Sequence, residues 1–189
     1  MSHTNSSNQA SLLSKKAQDL YSNRKYEEAV ETYQSCLDIL IEQDDLEGQA
    51  MVLNNMGLIS VETGDFDQAM VFFKRALSHF ENLKDLYGQA NQFQNIGSVY
   101  RDKKDYEKAI DPYLKALSLF ENCEDDVQIG NQYTNIAYIH AMLPNPQTSI
   151  SWYNKALMKY ESLGDIERAR QVRANIEVLS GQSKKHQKE

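Results

Sequence analysis

Cysteine, proline and glycine are all scarce in this chain of 189 residues, and each scarcity removes a class of protein. Two cysteines, Cys36 and Cys123, stand far apart and inside helical patterns. They read as free thiols and exclude a disulfide framework or a paired-cysteine metal site. Three prolines and eight glycines, beside abundant Ala, Leu, Gln, Glu and Lys, leave helix open to nearly the whole chain. No apolar run approaches the roughly eighteen residues a spanning helix needs. The first ten residues are polar and lack the apolar stretch of a secretory signal. Asn5-Ser6-Ser7 is therefore a chance glycosylation match. The expected location is the cytoplasm.

Basic residues are in deficit: the formal net charge is -7. A nucleic-acid binder normally shows a basic stripe, and an anionic membrane surface asks for the same, so neither is an expected partner. HExxH, GxSxG and phosphate-binding glycine loops are missing too. His3, His79, His140 and His186 are scattered, without carboxylates or thiols at metal-ligand spacing. His140 reads as a packed, hydrogen-bonded interface residue. The chain is expected to be no enzyme and to need no cofactor and no metal.

What is present is repetition. Asp65-Phe66-Asp67-Gln68-Ala69 returns forty residues on as Asp105-Tyr106-Glu107-Lys108-Ala109. Lys74-Arg75-Ala76-Leu77-Ser78 returns as Leu114-Lys115-Ala116-Leu117-Ser118. The period reaches back to Tyr26-Glu27-Glu28-Ala29 and forward to Tyr153-Asn154-Lys155-Ala156-Leu157. A repeat of this length is the mark of a helical solenoid. The spacing divides the chain into a disordered leader, 1–8, and one domain, 9–180. That domain holds repeats at 9–44, 45–84, 85–124 and 125–164, then a capping helix at 165–180. Residues 181–189 read as a charged tail. The architecture expected is all-α, four antiparallel helix pairs and a single last helix that covers the apolar flank of the fourth pair. The outer face of that helix would carry Glu167, Arg168, Arg173 and Glu177.

Within the frame, small and large residues keep their columns. Ala17, Gly57, Gly97 and Ala137 recur in the first helix of each pair; Ala29, Ala69, Ala109 and Ser149 recur in the second. Tyr33, Phe73, Tyr113 and Tyr153 stand as the large partners. Small side chains allow close approach of helix axes, so these columns are core. Asp45, Asp65, Asp85, Asp105 and Asp165 read as helix N-caps, and Thr63-Gly64 as a helix end. Pro112 falls inside a helix, where a kink is expected. Pro144-Asn145-Pro146 reads as a rigid, non-helical turn.

These columns resemble the tetratricopeptide repeat family across residues 9–180. The family's glycine or alanine late in the first helix falls at Ala17, Gly57, Gly97 and Ala137. Its aromatic opening the second helix falls at Tyr26, Phe66 and Tyr106, and Pro146 departs from it. The forty-residue period is longer than the family's usual one. It looks like the long-repeat branch of spindle-orientation adaptors, kinesin light chains and bacterial peptide-pheromone receptors. The resemblance implies a right-handed superhelix whose first helices line a concave groove, and a partner that is another protein or a peptide segment.

One feature inside that groove asks for a reason: asparagine, a mediocre helix former, recurs at Asn55, Asn95, Asn135 and Asn175. Beside it run Asn54, Gln94 and Thr134, and one turn earlier Met51, Asn91, Asn131 and Gln171. Amides can grip a peptide backbone or hydrogen-bond between neighbouring repeats, and the first column allows both. Asn91 and Asn131 favour the groove. The candidate peptide-binding residues are Met51, Asn54, Asn55, Leu58, Asn91, Gln94, Asn95, Arg101, Asn131, Thr134, Asn135 and Tyr138. The family's carboxylate clamp would fall at Ser14, Gln18, Asn55, Asn91 and Asn95, where only Asn55 agrees. The leading reading is a non-catalytic interaction module. The alternative is a structural or self-associating scaffold, a homodimer included.

Overall fold

The computed structural model describes residues 2–143 and 145–186, with side chains from 8 to 181 apart from that of 144. The described residues form nine α-helices and no strand: α1 (Ser2–Ser22), α2 (Tyr26–Glu42), α3 (Leu46–Glu62), α4 (Phe66–Leu83), α5 (Leu86–Asp102), α6 (Tyr106–Asn122), α7 (Asp126–Met142), α8 (Pro146–Ser162) and α9 (Ile166–His186). Consecutive helices pair antiparallel, as the forty-residue period requires. The chain falls into two compact units, Met1–Gln92 and Phe93–Glu189. Their boundary lies inside α5, which is why no linker composition betrays it.

Helix ends follow a twenty-residue rhythm set by the backbone. Arg24, Asp44, Gly64, Lys84, Lys104, Glu124 and Gly164 all have positive φ. After six of them, Gly64 apart, the next residue's N–H reaches back five residues, as in Lys25 to Leu20, Asp45 to Leu40 and Asp165 to Tyr160. This is the Schellman arrangement, which satisfies carbonyls the helix end leaves open. The following residue then opens the next helix. Gly48 N–H donates to Asp45 at 2.9 Å, and Gln68, Gly88, Gln128 and Arg168 donate to Asp65, Asp85, Asp125 and Asp165 at 3.0 Å. Such caps contribute about 1 kcal/mol each. Asp105, expected to do the same, makes no side-chain cap bond and instead accepts from the Lys108 ammonium at 3.2 Å.

The ends of the chain correct three expectations. α1 begins at Ser2, so the stretch read as a disordered leader is helical where described; Met1 lies outside the described residues. α9 passes through Gly181 to His186, because one glycine costs a helix only about 1 kcal/mol; 187–189 lie outside the description. Pro146 is not in a turn but at the first position of α8, where its missing N–H costs nothing. Asn145 caps that helix, accepting from Thr148 N–H at 3.4 Å. Leu143, ahead of a proline, is extended at ψ 154°, whereas the residues ending α2, α3 and α6 remain helical. Pro144 itself is outside the described residues. Pro112 sits buried within an undivided α6.

In the first unit Tyr33, Leu37, Leu53, Met56, Phe72 and Phe80 pack with Ala17, Ala29, Ala50 and Ala76. A Cβ on Gly57 would stand 2.5 Å from the Phe73 ring, so glycine there is what lets α3 and α4 close. Cys36 is buried and free, its thiol donating to the Ala10 carbonyl at 3.2 Å. In the second unit Tyr153 and Tyr160 pack with Ala137, Ala156, Ala169 and Val172. There a Cβ on Gly97 would stand 2.9 Å from Tyr113. The packing of α8 against α9 uses Ala169 and Val172, three residues apart on one face of α9.

Candidate functional site

The second unit holds an open cavity of about 380 Å³ built from the end of α5 and from α7, α8 and α9. Five expected residues line it: Gln94, Arg101, Asn131, Thr134 and Asn135. They converge because Gln94 and Arg101 lie two turns apart on α5, as Asn131 and Asn135 lie one turn apart on α7. Ser98, Tyr160, Arg168, Gln171, Val172 and Asn175 complete the wall. Tyr138 is not part of it and is 40% exposed.

Hydrogen bonds fix much of this surface from behind. Tyr160 O–H donates to Asn131 Oδ1 at 2.9 Å, and Arg168 donates to the same oxygen at 3.1 Å. Asn131 Nδ2 donates to Gln128 at 3.0 Å. Asn131, expected to favour the groove, lines the cavity and also joins α7, α8 and α9 through these bonds. Arg168 was expected on the outer charged face of α9. It lies in the cavity wall, its Nε bound to Asp165 at 2.6 Å. Both its backbone N–H and its guanidinium hold the Asp165 carboxyl below the usual carboxylate range. Arg101 donates from Nε to Asp102 at 2.8 Å. Buried Gln132 donates to Gln94 Oε1, fixing which way that amide turns.

The tyrosine column explains part of the asparagine column. In the first unit Asn55 Nδ2 donates to Tyr33 O–H at 3.2 Å, and Tyr33 donates to Gln18 at 3.2 Å. In the second, the Tyr153 hydroxyl is hydrogen-bonded by Asn175. Burial pushes Tyr33, Tyr113, Tyr153 and Tyr160 above the ordinary phenol range, so all four stay neutral. Of the two uses left open for that column, bonding between neighbouring repeats is realised at Asn55 and Asn175.

The expected residues of the first unit form a different surface. Asn54 bonds both Asn55, at 3.4 Å, and buried Gln92, whose Nε2 donates to it at 3.1 Å. Met51 is 58% exposed, while Leu58 and Asn91 are half-buried. Asn95, on the far side of the unit boundary, is half-buried and engaged. His140 is half-buried with Nδ1 lacking any hydrogen-bond partner, against the expectation that it would be bonded; burial holds its pKa below the ordinary value. Among the described residues no three of His, Cys, Asp and Glu could hold a metal ion, and no helix is long and apolar enough to cross a membrane.

Sequence reasoning missed Tyr160 and Arg168 for the same reason. The forty-residue positions of Tyr160 are Leu40, Phe80 and Phe120, so only here does that column carry a hydroxyl. Those of Arg168 are Gly48, Gly88 and Gln128. A charge replacing glycine in an otherwise regular column was the available signal.

Two sequence models of the tetratricopeptide repeat family match the chain, at residues 8–82 and 93–123, together more than half its length. No curated protein matches it. Solved structures do, at low identity. BtubC (BKLC) from P. vanneervenii is 20% identical with a TM-score of 0.76, covering 82% of this chain and 64% of its own. Aspartyl phosphate phosphatase F from Bacillus subtilis is 17% identical with a TM-score of 0.82, covering 88% and 44%. A STAND signal-transduction ATPase with a tetratricopeptide repeat sensor, from Pyrococcus horikoshii, is 16% identical with a TM-score of 0.82, covering 93% and 27%. The chain thus spans less than two thirds of each of these proteins, and the likeness is one of fold.

Proposed function

The chain is a tetratricopeptide-repeat protein, and from that premise we propose that it is a non-catalytic interaction module holding a segment of another protein against the amide-bearing faces of its first helices. One observation carries the reading: the chemistry of the second-unit cavity. Its described wall consists of amides, hydroxyls, two arginines and one valine, without Asp, Glu, His or Cys. Those four supply most general bases and metal ligands, and the wall's hydroxyls, Ser98, Thr134 and Tyr160, have none of them in the lining to activate an attack. Amides and guanidinium groups instead bind and orient. A self-associating scaffold is the second reading, favoured by the exposure of Ile166, at 81%, and of Met158 and Val178. The finer likeness to spindle-orientation adaptors and kinesin light chains stays within this proposal.

A photo-crosslinking residue placed at Gln171, in the cavity wall, and separately at exposed Lys74 of α4 tests the reading in cells. The expected result is heterologous adducts from Gln171 and few from Lys74. Adducts only between copies of the chain would favour the scaffold, and equal labelling at both sites would remove the cavity as a recognition surface.

A further inference from the structure

We propose that the first unit carries a second recognition surface, a cavity that takes a lysine or arginine side chain from a basic segment of a partner protein. The cavity, of about 520 Å³, is lined by the starts of α2 and α4 and the end of α3. Its residues on α3 are Ile59, Ser60 and Thr63, on the side of the helix opposite Asn54 and Leu58. It is therefore separate from the amide-bearing faces of the reading above and goes beyond that reading.

The chemistry of the wall selects the occupant. Ile59 and Phe72 are its buried apolar side chains, beside half-buried Val30. Two hydroxyls line it with their hydrogens committed: Ser60 donates to the Met56 carbonyl at 3.0 Å and Thr63 to that of Ile59 at 3.1 Å. A hydroxyl has one hydrogen and two lone pairs, so both present acceptors only. Glu27 and Asp65 add two carboxylates; Asp65 accepts from Gln68 N–H through one oxygen and keeps the other. No lysine or arginine is among the described lining residues, and Lys25, close by in sequence, is bound to Glu28 at 2.9 Å. Side-chain donors on the wall are limited to the Tyr26 hydroxyl and the Gln68 amide. Apolar surface beside acceptors and negative charge suits a side chain with an apolar stem and a cationic, donor-only head.

The forty-residue columns explain why room is left here. Ser60 is the small member of a column that otherwise holds Leu20, Tyr100 and His140. Eighty residues on, in the second unit, His140, Leu143, Asn145 and Trp152 stand for Ser60, Thr63, Asp65 and Phe72. Three of those four are larger, and the carboxylate of Asp65 is replaced by an amide. The first unit thus breaks these columns with smaller, acceptor-bearing residues.

The probes are fluorescein-labelled hexaarginine and hexaglutamine peptides, followed by anisotropy on the full chain. Hexaarginine should bind about ten-fold more tightly than hexaglutamine, and added salt should weaken it. Glu27→Gln, at an exposed position, should lose about five-fold. Glu107→Gln removes the same charge eighty residues on, also from an exposed position, and should bind like the parent. Ser60→Tyr supplies the ring that Tyr100 carries in that column; it should fill the cavity and lose about ten-fold with net charge unchanged. Circular dichroism accompanies each variant, and where Ser60→Tyr melts, Thr63→Leu at an exposed position should show the same loss in weaker form. Equal losses in Glu27→Gln and Glu107→Gln overturn the proposal, marking a general attraction of an acidic chain for cations. Equal binding of the two peptides overturns it, as does a folded, filled variant that binds hexaarginine like the parent. A parent dimer by light scattering that Glu27→Gln turns into monomer would give the cavity to a second copy and overturn the assignment to a partner protein.

Discussion

Position by position, Asn54, Leu58 and Val61 in the first unit correspond to Gln94, Ser98 and Arg101 in the second, and Met51 to Asn131. The frame around them is shared: alanine and glycine columns, left-handed turns at twenty-residue intervals, and an aromatic ring seated against Gly57 in one and Gly97 in the other. What differs is the lining. In the first unit the row ends in an exposed methionine, a half-buried leucine and a half-buried valine, and its amides Asn54 and Asn55 bond to Gln92 and Tyr33. In the second the row ends in guanidinium groups, and α9 contributes Arg168 to the same wall. A repeat protein keeps its packing columns and varies the positions between them. Recognition is therefore expected where a column is broken, not where it is kept.

The strongest test of the shared frame replaces its closest contacts. Gly57→Ala puts a methyl 2.5 Å from the Phe73 ring, and Gly97→Ala puts one 2.9 Å from Tyr113. Alanine is intrinsically the better helix former by about 1 kcal/mol, so overpacking must exceed that to show. Gly57→Ala should destabilise by about 1–3 kcal/mol and Gly97→Ala by less, read from urea melts. A stabilised Gly57→Ala would mean that α3 and α4 can separate without cost, and the small-residue column would lose its packing role.

A somewhat smaller effect separates the amides of the two units. Asn131→Ala removes the short acceptor of the Tyr160 hydroxyl, leaving it Thr134 at 3.4 Å, together with one acceptor of Arg168, and should cost about 1–3 kcal/mol. Asn55→Ala removes one bond to Tyr33, whose hydroxyl keeps Gln18, and should cost nearer 1 kcal/mol. Denaturant midpoints of the two variants give the comparison directly. Equal costs would show that Asn131 is no more a junction than Asn55.

The order of these two effects could not be read from the sequence, and the reason is instructive. Period, composition and the small and large columns establish helices, pairing and core, because each depends on neighbours at fixed spacing. Asn131 stands in the same column as Met51 and Asn91, and spacing alone cannot tell that Tyr160 and Arg168 will meet its oxygen. Those partners are 29 and 37 residues away and depend on rotamers. Pro146 was misplaced for a simpler reason: proline is read as a breaker, yet the first position of a helix suits it. Gly181 was read as a stop, but a lone glycine with no αL turn after it ends nothing.

Acid should act on two histidines, His79 in the first unit and His140 in the second. Burial lowers the pKa of His140, and burial followed by the Arg75 charge lowers that of His79, from the ordinary 6.5. The unfolded chain takes up a proton near the ordinary value, while the folded one resists it. Below that value the unfolded state binds more protons, so stability contributed by neutral histidine is present above it and lost as pH falls through the folded pKa. His140→Gln and His79→Gln should each flatten the decline of thermal stability between neutral pH and about pH 5. Parallel parent and variant curves over that range would show that neither ring resists protonation.

The smallest expected effect concerns the backbone rhythm common to both units. Lys84 has φ 56° and Glu124 φ 55°, in the left-handed region, and each is an exposed side chain. An L-residue there costs roughly 1–2 kcal/mol through the crowding of Cβ against the following carbonyl. Glycine removes that cost but returns about 0.5–1 kcal/mol through the greater freedom of the unfolded chain. Lys84→Gly and Glu124→Gly should therefore each stabilise by a few tenths to about 1 kcal/mol. Gly64→Ala, at φ 81° with open space around it, supplies the reverse control and should destabilise by about 1 kcal/mol. Small shifts of this kind are best read as denaturant midpoints at constant slope, so that changes in the unfolded ensemble are not mistaken for changes in the turn. If Lys84→Gly gains and Glu124→Gly loses, the two junctions are not equivalent, and the Glu124 side chain holds its turn in a way the Lys84 side chain does not.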